Sequence, residues 1–378
     1  MITAQRLPAS LTPLDAALAA VLRDLVPVQP IELPPADALR CIAAEMPALR
    51  AYPPHDVAVS DGWAMRANDL VGASSYAPLP LVGLPVWVAA GAAMPDGTDC
   101  VVDADAVDTS GPLPQVLAEA IPGQGVRRTG SDIAVGRAVI AAGEPLLPRG
   151  LLLARAAGLE LLRVRRPRLR IVNICNGQLT AQLIADTARL AGAEIVYAEA
   201  APDVGAIANA LEADGCDLII TIGGTGVGHT DATVNALAGC GTLIAHGIAL
   251  QPGRTAAVGR IGATPVVALP GATDQAFAAW WAIALPVLDR LSGRRPRKTL
   301  ALPLGRKIAS GVGIAEVVLL TRQQGSQRGS QEGSWAVLAI GDLSLDAIAR
   351  AEALLIVPGT AEGFAAGTVV DAYIMLRE

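Results

Sequence analysis

From Leu169 to Leu291 the chain alternates short apolar runs with segments of helical periodicity, and this alternation restricts the fold more than any other feature. Leu169 to Cys175, Glu194 to Ala198, Asp217 to Thr221 and Val266 to Leu269 read as strands. Leu179 to Ala191, Val204 to Ala213, His229 to Leu237 and Ala272 to Leu291 read as helices. Such a succession predicts a parallel sheet covered by helices on both faces, because strands buried on both sides carry continuous apolar runs. Phe277, Trp280 and Trp281 lie on the last helix, where aromatic residues at helical spacing are expected in the core.

The flanking sequence has a different rhythm. Thr12 to Leu25 reads as an amphipathic helix, with Thr12 as cap and Pro13 in the first turn. Prolines are dense from Val26 to Pro54, and Leu79 to Val139 holds short apolar runs broken by Gly, Pro and Asp, which predicts β-rich structure. Arg149 to Leu162 reads as a helix that leads into a basic stretch, and a domain boundary is expected near Pro148. Ser292 to Lys298 is a linker. Short strands follow at Val317 to Leu320, Trp335 to Ile340, Leu354 to Val357 and Val369 to Leu376, with Gln323 to Gly333 as a loose hairpin tip.

Composition removes several classes of function. The 378 residues are 52% hydrophobic and 17% charged, with a net charge of −6, so neither nucleic acid nor anionic lipid is favoured as a partner. No apolar run is long enough to span a bilayer; Ala276 to Leu288 contains Pro286. The N-terminus lacks a secretory pattern, which makes the cytoplasm the expected compartment. Five cysteines without CxxC spacing indicate neither disulfides nor a zinc ribbon, and the three histidines lack the spacing of a helical metal pair. Lys298 and Lys307 are the only lysines, and neither belongs to a P-loop.

Chemistry can sit in three places. Thr221-Ile222-Gly223-Gly224-Thr225-Gly226-Val227-Gly228-His229-Thr230-Asp231 follows a predicted strand and precedes a predicted helix, so its backbone N–H groups could surround an anion. Tight packing of helix on strand would also select those glycines. In Pro53-Pro54-His55-Asp56-Val57-Ala58-Val59-Ser60-Asp61-Gly62-Trp63-Ala64-Met65, Asp61-Gly62 reads as a turn and Trp63 as an anchor, with catalysis as the competing reading. Arg127-Arg128-Thr129-Gly130-Ser131-Asp132-Ile133 is a turn that could equally present Arg and Asp to a ligand.

Taken in order, these segments resemble the molybdopterin molybdenumtransferase family of the MoeA and gephyrin E-domain type. Pro53 to Ala64 is similar to the family's PPFDNSAMDGYA motif, and Gly91-Ala92-Ala93-Met94-Pro95-Asp96-Gly97-Thr98-Asp99-Cys100-Val101-Val102 to its TGAPLPxGADAVV. Gly130 to Ile133 is similar to GEDI, Asp217 to Asp231 to DVVITSGGVSVGxxD, and Leu269-Pro270-Gly271 to the start of LPGNPVS. The resemblance covers about Leu11 to Leu376. It implies a multidomain α/β plus β fold, with a three-layer α/β molybdopterin-binding domain at 151–298. Around it would stand an N-terminal linker helix and connecting domain at 1–50 and 123–150, a β-rich inserted domain at 51–122 and a small β-rich domain at 299–378. It also implies a homodimer, with molybdopterin adenylyltransferase or a client molybdoenzyme as further partners.

The reaction implied by the resemblance inserts molybdate into adenylylated molybdopterin and releases AMP, with Mg2+ as the expected cation. On that basis Asp61, Asp132 and Asp231 are candidate catalytic residues, and Asp61 and Asp231 candidate metal ligands. Gly223, Gly224, Thr225, Gly226, Gly228, Asp217, Gln178, Arg254, Pro270 and Gly271 are candidate ligand-binding residues. The chain also departs from the pattern. The family's STGDEL becomes Ile174-Cys175-Asn176-Gly177-Gln178-Leu179, so Gly177 and Gln178 replace an acidic pair. IKPGKP becomes Leu250-Gln251-Pro252-Gly253-Arg254-Thr255, and LPGNPVS continues as Ala272-Thr273-Asp274-Gln275. Two readings follow: a metal-inserting transferase, or a noncatalytic paralogue that binds molybdopterin or the finished cofactor and delivers it.

Overall fold

The computed structural model describes residues 5–174, 177–211, 215–323 and 333–375. At its centre is a six-stranded sheet whose elements we number in chain order: β1 (Arg168–Ile174), β2 (Glu194–Ala200), β3 (Leu218–Ile222), β4 (Thr242–His246), β5 (Ala257–Ile261) and β6 (Thr264–Leu269). Its helices are α1 (Gln178–Leu190), α2 (Val204–Leu211), α3 (Thr233–Cys240), α4 (Thr273–Ala279) and α5 (Leu285–Ser292). The spatial order is β2-β1-β3-β6-β5-β4. The first four strands are parallel, as the alternation predicts. The last two run antiparallel, because Gly262 turns β5 straight back into β6 without a crossover.

Strand register separates two apolar faces. Leu169 and Ile171 of β1 join Ile220 and Ile222 of β3 under α1, α4 and α5. Val172 and Ile174 face the other way, toward Ile207 and Leu211 of α2 and Leu237 of α3. The helix expected from Ala272 to Leu291 is present but contains a π turn at Trp280–Ala284. Pro286 lies just beyond it and has no N–H to donate, which accounts for the local loosening of the ladder. Phe277 and Trp280 are buried as expected, while Trp281 is half-buried with the Arg297 guanidinium over its ring.

Several boundaries differ from the sequence reading. The N-terminal helix runs only Leu14–Leu22. Thr12 does not cap it, because Thr12–Pro13 pairs in parallel with Ile248–Gln251. The helix expected from His229 begins at Thr233, since the preceding residues close a turn on Asp231. The helix expected from Arg149 to Leu162 is Pro148–Ala156, and Leu162–Arg165 is instead a strand between Ile31–Leu33 and Ile42–Ala43. Cys175, Ala213, Leu376 and 324–332 of the hairpin tip lie outside the described residues.

Ile248–Gln251 links the centre to the C-terminal strands. It pairs with Ala315–Gln323 in a seven-stranded sheet that also holds Ala353–Val357, Val369–Ile374 and Thr299–Pro303. The main core is therefore continuous from Ile220 and Phe277 to Val317, Leu319 and Leu354. The β-rich N-terminal part is built from short sheets, one of which pairs Gly62–Met65 with Val86–Val88 and Cys100–Val102. Among the described residues no helix is long and apolar enough to cross a membrane.

Candidate functional site

The carboxyl ends of β1, β3 and β6 converge on the glycine loop, the position where open α/β sheets bind ligands. Gly223 and Gly224 have φ of +95° and +68°, a region that favours glycine. A Cβ on Gly223 would stand 2.8 Å from the Ile174 carbonyl oxygen, and one on Gly224 would overlap the Thr233 hydroxyl. Thr233 fastens the turn by donating its hydroxyl to the Gly223 carbonyl at 2.8 Å and its N–H to the Gly224 carbonyl at 3.0 Å. Gly223 itself donates to the Leu269 carbonyl at the end of β6. Close packing thus explains the first two glycines.

The next stretch is built differently. Asp231 Oδ2 accepts the Gly228 N–H at 2.7 Å, and a Cβ on Gly226 would come within 2.6 Å of that oxygen. Among the described residues, the backbone N–H groups of Gly224, Thr225, Gly226 and Val227 have no hydrogen-bond acceptor. Consecutive unpaired N–H groups form an anion-binding concavity. Thr225 is 1% exposed and turns inward: its carbonyl meets His246 Nε2 at 3.0 Å, and its hydroxyl donates to that of Thr255 at 3.3 Å. It shapes the loop from beneath.

Sequence reasoning missed the supports. The Gln5 side chain, 4% exposed, donates to the Gly226 carbonyl at 2.6 Å and accepts the Val234 N–H at 3.1 Å. Thr180 on α1 donates to the Gly271 carbonyl at 3.0 Å and meets the Thr273 hydroxyl at 2.9 Å, which joins the first turns of α1 and α4. Burial pushes the His246 imidazole below its ordinary pKa against the raising effect of the Thr225 carbonyl, so the neutral ring is favoured. No local sequence pattern signals these contacts, since their partners are distant in the chain.

The other candidates are distributed as follows. Pro270 is buried, and a Cβ on Gly271 would be 3.4 Å from Gly223 Cα, so both flank the loop. Gln178 is exposed at the start of α1. Arg254 lines a cleft of about 350 Å³ with Gln251, Asp274, Gln275 and Asp342. Asp217 lies at the opposite end of β3, where its Oδ2 accepts the Arg168 N–H at 2.7 Å, and the fold does not bring it to the loop. Asp61 accepts the Ala90 N–H at 2.7 Å, and Asp132 pairs with Arg127 at 3.2 Å, both in the β-rich arm. Close by, the Thr129 N–H, followed by Arg128 at 2.8 Å, holds the Asp56 carboxyl below its ordinary pKa.

Among the described residues no three His, Cys, Asp or Glu side chains form a metal-binding group. Asp61 and Asp231 therefore do not constitute a cation site by themselves. Asp231 Oδ1 nevertheless makes no hydrogen bond and sits beside the unpaired N–H groups. One carboxylate oxygen beside a run of unpaired N–H groups is a donor set that fits Mg2+, which is commonly held by one or two carboxylates plus phosphate oxygens. A larger cavity, about 990 Å³ and mainly apolar, lies away from this loop between the N-terminal helix and the C-terminal strands.

This architecture defines a multidomain α/β protein whose glycine loop, with its run of unpaired N–H groups, sits at a strand switch point. Residues 12–158 match the MoeA N-terminal region (domain I and II) and residues 172–290 the probable molybdopterin binding domain. The chain belongs to the MoeA-type molybdopterin molybdenumtransferase family. It is 28% identical to molybdopterin molybdenumtransferase 2 of Mycobacterium tuberculosis, over 88% of this chain and 91% of that protein. It is 24% identical to a putative molybdopterin biosynthesis protein of Methanocaldococcus jannaschii, over 90% of each. The fold superposes on the molybdopterin biosynthesis MoeA protein of Pyrococcus horikoshii OT3 with a TM-score of 0.67 at 21% identity, covering 97% of this chain and all of that one.

Proposed function

We propose that the chain acts in molybdenum cofactor biosynthesis as a molybdopterin molybdenumtransferase, taking adenylylated molybdopterin and molybdate and releasing AMP. The observation that carries this reading is the run of unpaired N–H groups from Gly224 to Val227 beside the free oxygen of Asp231. The N–H groups bind a phosphate and hold it without reorganisation as charge develops. Asp231 would hold a divalent cation such as Mg2+, which would supply charge neutralisation beside the phosphate. Thr225, His246 and Gln5 keep the loop in shape. The names of the curated relatives support the transferase over the noncatalytic carrier.

Gly177 and Gln178 provide no anionic group beside the loop, so catalysis here relies on Asp231 and on the arm carboxylate Asp61, with Asp132 held in its ion pair with Arg127. The proposal places the protein in the cytoplasm as a homodimer, with the arm of one subunit reaching the loop of the other. Incubation of the purified protein with adenylylated molybdopterin, molybdate and Mg2+ tests the reading. AMP release above the blank is expected. Binding of the nucleotide without release would establish the carrier instead. Gly177→Asp with Gln178→Glu is expected to increase the release.

A further inference from the structure

Asn173, near the carboxyl end of β1, carries a side-chain amide that the fold buries and leaves unbonded. It is 2% exposed, and neither Nδ2 nor Oδ1 has a hydrogen-bond partner. An interior amide normally finds partners for both atoms, because an unmade bond keeps the cost of desolvation and returns nothing. Alternation along β1 puts Asn173 on the face of Leu169 and Ile171, beneath α1. There it interrupts the main apolar core, where leucine would carry no such cost. A buried amide that weakens its own surroundings is accounted for by a partner from outside the chain.

The amide is aimed at the start of α1. A Cβ on Gly177 would stand 3.7 Å from Asn173 Oδ1 and, among the described residues, would meet no other atom within 4 Å apart from its chain neighbours. Gly177 therefore leaves open the space that a longer side chain would fill above the amide. The 13-residue helix α1 has no side-chain cap and no acidic residue in its first turn. The first N–H groups of a helix have no acceptor within it and form its positive end. Thr180 fixes this turn through the Gly271 carbonyl and the Thr273 hydroxyl. The place adjoins the glycine loop, since the carbonyl oxygen of Ile174, the residue after Asn173, is 2.8 Å from the Cβ position of Gly223.

We infer that the start of α1 and the Asn173 amide bind a tetrahedral oxyanion, molybdate, with Asn173 as a binding residue for this second substrate. Oxygens of the anion accept the first-turn N–H groups of α1 and the Nδ2–H of Asn173, once the amide turns its donor toward the opening left by Gly177. Carboxylates at 177 and 178 would repel such an anion, whereas Gly177 and Gln178 admit it. Loss of the acidic pair thus changes which sign of charge this end of the sheet accepts. The choice of molybdate over other oxyanions rests on the proposed function; the position and the residue do not.

Calorimetric titration of the intact protein with molybdate and with inorganic phosphate, run beside thermal melts, tests the inference. Molybdate is expected to bind, and Asn173→Leu and Asn173→Ala should each weaken it at least about tenfold, the scale of one hydrogen bond to a charged group. Asn173→Leu should melt no lower than the parent, because an apolar group of similar size replaces an unpaired amide. Gly177→Asp with Gln178→Glu, titrated without Mg2+, should lose the anion too, whatever cation it gains for turnover. Failure of the parent to bind molybdate, or unchanged affinity in any of these folded variants, would overturn the inference. A lower melting midpoint in both Asn173 variants would also overturn it, by making the amide a structural group. Asn173-dependent binding of phosphate tighter than that of molybdate would overturn the molybdate assignment. Absence of AMP release alongside Asn173-dependent molybdate binding would sink the transferase reading alone.

Discussion

Gln5 and Gly226, separated by 221 positions, are joined by a 2.6 Å hydrogen bond from the Gln5 amide to the Gly226 carbonyl. The same side chain accepts the Val234 N–H, so one buried amide holds both the glycine loop and the first turn of α3. Gln5→Ala leaves these groups buried and unpaired, at a cost of about 1–3 kcal/mol. Chemical denaturation should register that loss, and AMP release should fall with it. Gln5→Glu, which cannot donate to the carbonyl, should not restore either.

Gly226→Ala places a methyl group within 2.6 Å of Asp231 Oδ2 and forces the carboxylate off the Gly228 N–H. AMP release is expected to fall at least about tenfold, equivalent to about 1.4 kcal/mol. Titration with Mg2+ should show a lower apparent affinity, with half-maximal activity at a higher Mg2+ concentration than in the parent protein. Normal turnover in this variant would remove Asp231 from the mechanism.

Asp217→Asn is expected to leave AMP release within about twofold of the parent. Its carboxylate accepts the Arg168 N–H at the far end of β3, and an Asn amide oxygen can still accept it, so only the charge assistance is lost, about 1 kcal/mol of stability. A large kinetic effect would mean that the two ends of the strand are coupled.

His246 makes stability depend on pH in one direction. Its folded pKa lies below the ordinary value of about 6.5, so the unfolded chain binds the extra proton first as pH falls. The contribution of the neutral ring is complete above about 6.5 and declines as pH drops toward the folded pKa. Thermal melts between neutral and mildly acidic pH should show this slope, and His246→Gln should flatten it.

Arg297 and Asp289 form a bidentate pair at 2.7 Å, with side chains 13% and 19% exposed, at the junction of α5 with the C-terminal strands. Asp289→Asn leaves the guanidinium partly buried without its counter-charge and should destabilise by about 2–3 kcal/mol. Glycine-loop ligand binding should be unchanged, as measured by titration with adenylylated molybdopterin.

Much of this was legible before any coordinates. The alternation of strand and helix located β1, β2, β3 and β6 because a strand buried on both faces leaves a continuous apolar run. Thr242–His246 and Ile248–Gln251 escaped notice because they are short and lie between glycines, where periodicity has little room to register. The glycine loop was legible as a motif, yet its sequence could not separate packing from binding. The backbone does: Gly223 and Gly224 are required by sterics, and the N–H groups that follow are left without acceptors. Asp217 looked like a site residue because it begins the loop's motif, but the five-residue strand that follows carries it to the other end of the sheet.

The sequence alone determined the parallel strands of the central sheet, the order of the motifs and the identity of the loop, since apolar period and glycine spacing are local properties of the chain. Tertiary structure decided which charges remain free to act. Asp231 keeps one oxygen free beside the loop while Asp132 is taken by Arg127, and Gln5 closes the loop from the far end of the chain. Pairing depends on distances between segments remote in sequence, and those distances exist only once the sheets have packed.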